Sequence, residues 1–415
     1  MMMTCRWLAA VALLVMVSAC DDDSSTPDVL QPDAPVADGG PDGPAPDGPA
    51  RDGPLAVDAP AKPTGWYPVT GVAPTGTFHT ATLLDDGRVL VTGGDVEDPA
   101  PRTLKQAWIY DPASSTFAGA GEMGIARVFH TATLLPDGKV LVVGGENEND
   151  DALASTEIFD PGKPAASAWS AGPALPGPRT RHVAVRLDSG EVLIAGGVDL
   201  VAYPFVVLDS LAIYSPQSGS FKLPAAALQQ KRYRHAACLL TSGKVLLAGG
   251  YDSDYLDSLE IYDPGSGTGT LLTVKLSYAR IVPTLTRLKS GQVLIVGGSA
   301  YQVQNDELYD PATNTVKPLS HPGGPPAFHQ AVLLNDGRVL VVGGQEANPS
   351  GGISHMTKSL AYDPAGGGAW VPLPDLNVGR VFHTATLLKN GTVLAVGGQF
   401  GKSKTFVNTA ELFYP

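Results

Sequence analysis

Seven times along the chain an apolar run is broken by a short polar turn, resumes, and stops at a pair of glycines. The last copy runs from Phe382 to Leu388, turns at Lys389-Asn390-Gly391, and continues from Thr392 to Gly397-Gly398. The others end at Gly93-Gly94, Gly144-Gly145, Gly196-Gly197, Gly249-Gly250, Gly297-Gly298 and Gly343-Gly344. The position 14 residues before each first glycine is His79, His130, His182, His235, Pro283, His329 or His383. The runs are too short for helices. They are too continuously apolar for a sheet wetted on one side, so they predict strand pairs covered on both faces.

A loop of variable length follows each Gly-Gly, and then a third strand ends at a turn. These strands are residues 108–112, 157–161, 212–216, 260–264, 307–311, 360–364 and 411–415, most of them closing on Asp-Pro. Proline presets φ for the corner that follows. A fourth strand is marked by Phe117, Trp169, Phe221 or Trp370. A period of 46 to 54 residues carrying four short strands predicts an all-β propeller of seven four-stranded blades. Trp66 lies 13 residues before His79, as Trp169 does before His182 and Trp370 before His383. Trp66 is therefore expected to mark the fourth strand of the last blade, with residues 65–70 zipping onto residues 411–414 to close the ring.

These spaced markers, a strand ending in Gly-Gly, an aromatic on the third strand and a Trp on the fourth, resemble the kelch repeat of the galactose oxidase-type propellers, over residues 65–415. The recurrence makes the phrase scaffold: the repeated histidines are expected to bond between blades. The glycines answer a crowded strand end that tolerates no Cβ and calls for positive φ. In galactose oxidase-like enzymes the resemblance implies copper held by a Tyr-His pair at the repeated His position, by a tyrosine crosslinked to cysteine, and by a His from a further C-terminal domain. Here Phe78, Phe129, Arg181, Arg234, Phe328 and Phe382 precede the histidines, Cys238 sits in an apolar strand, and the sequence stops at Pro415. A copper radical oxidase is the weaker expectation, and no cofactor or metal is expected. Asp252, Asp254 and Asp257 lack the glycine and terminal glutamate of a calcium loop.

Residues before the propeller read differently. Arg6 and an apolar run too short to span a bilayer precede Val17-Ser18-Ala19-Cys20, which resembles a bacterial lipobox. Residues 1–19 are expected to be a lipoprotein signal peptide, with Cys20 lipidated and the protein held in the cell envelope at the periplasmic face or the cell surface. Residues 20–64 are rich in Asp, Pro, Ala and Gly, with ten Asp between residues 21 and 62 against Arg51 and Lys62. That is about −8 of a net charge of −13. Such a stretch is expected to be a disordered tether. The mildly acidic remainder excludes a nucleic-acid surface.

Strand alternation puts the loops after Gly-Gly and the blade connections on one face. Loops on a rigid frame carry recognition. This long-loop face should display Glu146, Tyr203, Phe205, Tyr251, Tyr301, Gln345, His355, Gln399 and Phe400. Arg127, Arg179, Arg232, Arg280 and Arg380 each stand three residues before a repeated position. They allow two readings: a ring that grips an anion bidentately, or structural pairs with carboxylates of neighbouring blades. The leading expectation is a monomeric binding module whose long-loop face takes a protein or a glycan, with the lipid as its membrane contact. The alternative is a sugar-modifying enzyme resembling the kelch-type sialic-acid epimerases.

Overall fold

Seven antiparallel four-stranded sheets form, one per repeat, six of them with their strands in chain order. The computed structural model describes residues 62–71, 73–74, 76–96, 102–299, 303–347, 353–401 and 405–415. The predicted signal, Cys20 and most of the tether lie outside these residues. The first strands of blades 1 to 7 are Thr80–Leu83, Thr131–Leu134, Val183–Arg186, Ala236–Leu239, Thr284–Arg287, Gln330–Leu333 and Thr384–Leu387. Each touches the first strand of the blade before and the blade after, which closes a ring. The second strands, such as Val140–Val143 and Val245–Ala248, are buried at every position. Their side chains meet a neighbouring blade on either side, which explains the unbroken apolar runs. One core cluster, for example, joins Leu90 and Ile109 of blade 1 to Val140, Val142 and Phe159 of blade 2.

Blade 7 is completed from the other end of the chain. Gly65–Pro68 pairs antiparallel with Ala410–Tyr414, in the register Gly65 to Tyr414, Trp66 to Phe413, Tyr67 to Leu412 and Pro68 to Glu411. The Trp66 ring lies 5.1 Å from Phe413, and its indole N–H donates to Ser359 Oγ of blade 6 at 3.0 Å. The same opposed aromatic pair recurs as Tyr110–Phe117, Phe159–Trp169, Tyr214–Phe221 and Tyr362–Trp370.

The glycine pair is the joint between blades. The second glycine donates its N–H to a carbonyl of the next connection: Gly94 to Arg127 at 3.0 Å, Gly145 to Arg179 at 3.0 Å, and so on to Gly398 with Gly76 at 2.9 Å. The first glycine sits at φ of 57° to 64° in all seven copies, and a Cβ on Gly144 would lie 2.5 Å from the Arg179 carbonyl.

The repeated histidines work between blades, as expected, in four copies. His79, His130, His182 and His329 place Nε2 within 2.8 to 3.1 Å of Thr384, Thr80, Thr131 and Thr284, each the first residue of the preceding blade's inner strand. Where that residue is Ala236, blade 5 carries Pro283 instead. Blade 5 nevertheless has four strands. Its irregularity is local: the Gly297 N–H goes to Asp306 Oδ1 at 2.9 Å, where the other blades use a backbone carbonyl. Buried His321 fixes that carboxylate through Nδ1 at 2.5 Å.

Candidate functional site at the mouth of the ring

The loops after Gly-Gly rise as short ribbons on the long-loop face. They are Asp95–Val96 with Arg102–Thr103, Val198–Asp199 with Val206–Val207, Gln345–Ala347 with Ile353–His355, and Gln399–Phe400 with Thr405–Phe406. Each root is clamped by a bridge between the residue after Gly-Gly and the residue two before the repeated position, as in Val128 with Glu146 and Tyr233 with Tyr251.

Between these roots lies a ring that the sequence reading did not single out. The residue before each repeated position is Phe78, Phe129, Arg181, Arg234, Val282, Phe328 or Phe382, all at φ of 51° to 58°. Side chains other than glycine rarely adopt this backbone, and each instance stores strain. The strain is held by bonds that run round the ring: the N–H of Arg181 to the Phe129 carbonyl, of Arg234 to Arg181, and of Val282 to Arg234 at 2.8 Å. One arc is aromatic, with Phe328–Phe382, Phe382–Phe78 and Phe78–Phe129 centroids 4.6 to 4.8 Å apart. The opposite arc is ionic. Arg181 stacks on Phe129 and pairs with Glu146 at 2.8 Å, and Thr180 Oγ1 donates to the same carboxylate at 2.8 Å. Burial raises the Glu146 carboxyl pKa although Arg181 pulls it down. Burial, then Arg181, holds Arg234 well below its ordinary value. Tyr233, beside Arg234, meets Tyr251 edge to face, and Tyr251 meets Tyr255 in the same way.

The other expected site residues are spread out. Gln345 and Gln399 begin ribbons of blades 6 and 7, and Gln399 is buried. Tyr301 lies outside the described residues. Arg127, Arg179, Arg232, Arg280 and Arg380 do not converge. All are buried, and each guanidinium spans its own blade, donating from Nη1 to the first glycine's carbonyl at 2.7 to 3.1 Å. Four of them pair through Nη2 with Glu157, Glu260, Glu307 and Glu411 at 2.6 to 3.3 Å. These carboxylates belong to the arginine's own blade, whereas the structural reading from sequence placed them in a neighbour. The pairing spends on scaffold the donors that a ligand would need. The sequence reading met Arg181 and Arg234 only as residues other than tyrosine before a repeated histidine and gave them no site role, because in the sequence they stand out only as departures from phenylalanine beside an invariant spacing.

A sequence model described as the KLHDC2/KLHL20/DRC7 Kelch-repeats domain matches residues 78–298, more than half of the chain. This chain belongs to the kelch-repeat family. Similar proteins include human Kelch-like protein 33, 29% identical over 32% of this chain and 24% of that protein. A galactose oxidase of Gibberella zeae is 40% identical over 17% of this chain and 11% of the enzyme. The F-box/kelch-repeat protein At1g51550 of Arabidopsis thaliana is 26% identical over 45% of this chain and 43% of that protein. The kelch chain thus spans less than half the length of each of these relatives. Among solved structures, a fungal alcohol oxidase of the AA5 family in complex with copper superposes with a TM-score of 0.63. It covers 84% of this chain and 76% of the oxidase at 18% identity, a likeness of fold.

The residues present do not fit a copper centre. No tyrosine precedes a repeated histidine, and four of the six histidines spend Nε2 on a threonine. Cys238 is fully buried within the first strand of blade 4. Among the described residues no three His, Cys, Asp or Glu side chains are grouped to hold a metal.

Proposed function

We propose that this kelch propeller is the binding module of an exported, lipid-anchored protein and that it engages a protein partner through its long-loop face. The observation that carries the reading is the blade 3 ribbon. Its tip exposes Val201 at 59%, Tyr203 at 102% and Phe205 at 55% of their surface, on a base clamped to the ring by the bridge from Thr180 to Val198. Large apolar side chains held in water on a rigid root are a feature of recognition surfaces, where aromatic anchors carry most of the affinity. The chain covers less than half the length of its family relatives, which lend the scaffold alone, and the partner is read from this ribbon.

A photo-crosslinking residue placed at Tyr203 in the producing cells tests this. Discrete protein adducts at Tyr203, with none when the probe stands at Ser114 on the short-turn face, are expected. Equal labelling at both sites sinks the proposal. Binding to a glycan array that is lost in Tyr203→Ala, with no protein adduct, replaces the protein partner by a sugar. Anchoring is tested by metabolic labelling with a fatty acid. The label should depend on Cys20, and Cys20→Ser should release the protein from membranes.

A further inference from the structure

Blade 3 departs from its sisters at one buried charge. In blades 2, 4, 5 and 7 the third-strand residue paired with the position two before the first glycine is Glu157, Glu260, Glu307 or Glu411. Each neutralises that blade's arginine. Blades 1 and 6 have Trp108 and Leu360 there, and Gly76 and Pro326 in place of the arginine. Arginine and glutamate are kept or lost together, except in blade 3. There Arg179 remains and the carboxylate position is Ala212, opposite Ile194.

Arg179 is 2% exposed, and among the described residues no carboxylate oxygen lies within 4.0 Å of it. Burial lowers its pKa only to about 10, so it is charged at neutral pH. A buried cation without a counter-charge is costly. The sister carboxylates have a second set of donors in the connection: the Gly124 and Ile125 N–H groups on Glu157 at 2.6 and 3.2 Å, and Ser277 on Glu307 at 2.5 Å. The matching residues of blade 3 are Pro176, which has no N–H, and Gly177. The Gly177 N–H meets no protein acceptor among the described residues, and a Cβ there would touch nothing within 4 Å.

We propose that blade 3 binds a small monovalent inorganic anion, chloride in ordinary media, held by the Arg179 guanidinium and the Gly177 N–H in the place a carboxylate takes in four sister blades. Ser210 Oγ accepts from Arg179 Nη2 at 3.1 Å and has its own proton to turn towards the anion. Ser210 also follows the ribbon strand Val206–Val207 by three residues, so the anion braces the root of the exposed ribbon.

The test is thermal unfolding of the full chain in a chloride series, with gluconate holding ionic strength constant. A saturable rise in Tm is expected, about 2 °C once chloride is tenfold above its Kd. Ala212→Glu supplies the sister carboxylate and should unfold higher with no chloride response; Arg179→Gln should also be flat. A crystal grown in bromide should show an anomalous peak against the Arg179 guanidinium. A flat wild type, an undiminished response in both variants, or a bromide crystal without that peak overturns the proposal.

Discussion

At the scale of single residues, the glycine pair shows how steric exclusion writes a fold. Gly144 combines positive φ with an incoming carbonyl, so Gly144→Ala meets both strain and a clash. A loss of about 2–4 kcal/mol in urea unfolding is expected. Gly119, a strand glycine with nothing within 4 Å of its Cβ position, is the control: Gly119→Ala should be neutral or slightly stabilising. The histidines set a pH dependence. Burial lowers the pKa of His79 to about 4 and of His182 and His329 to about 3. The unfolded chain takes up protons near pH 6.5, whereas the folded chain does so only far below. Stability is therefore full above about pH 6.5 and is lost as pH falls towards 4. Glu146, with its raised carboxyl, opposes this as one group against several. The urea midpoint should be level from pH 7 to 8 and fall between 6.5 and 4.5; a level or rising midpoint there contradicts the account.

At the scale of elements, the arginine and glutamate that fasten the connection to its blade in blades 2, 4, 5 and 7 act as a unit. Arg280 and Glu307 are both 0% exposed and 2.7 Å apart. Removing one leaves the other charged and dry, so Arg280→Ala should cost about 3–5 kcal/mol. The double change Arg280→Met with Glu307→Leu should cost markedly less, and a double-mutant cycle measures the difference. Blades 1 and 6, which carry neither partner, show that a blade closes without them. The same pairing explains what the sequence displayed and what it hid. Strand number, blade period and the role of Trp66 were legible because they rest on local spacing and apolar covering, which repeat. The fate of the arginines was not legible, because the glutamates that pair with them lie 27 to 31 residues on, across loops of unequal length. The strained mouth ring was hidden for another reason: positive φ at Phe78, Arg181 or Val282 leaves no compositional trace, since glycine does not occupy any of the seven positions.

At the scale of the whole molecule, the ring is closed where the strand Gly65–Pro68 completes blade 7 and packs against blade 6. Trp66 is the point where that closure is concentrated. It is buried against Phe413, bonded to Ser359 of blade 6, and packed in a cluster with Val332, Leu340 and Leu376. Trp66→Ala should cost about 3–5 kcal/mol. What matters is the strand pairing, and the covalent order of the chain is incidental. Gly65 and Tyr414 are register partners, so the two paired strands lie as a hairpin without its turn. Joining residue 415 to residue 65 through a copy of Pro112-Ala113-Ser114-Ser115 and opening the exposed turn between Gly265 and Ser266 moves the closure from blade 7 to blade 4. This permutant should unfold in one cooperative step with Tm within a few degrees of the parent, because exposed turn tips tolerate new ends. In it Trp66→Ala should still be costly, since the indole contacts with blade 6 are unchanged, and deleting residues 65–68 from the parent should abolish the cooperative transition. Loss of folding in the permutant with retained folding in the deletion would show that the ring is held by something other than the paired strand of blade 7.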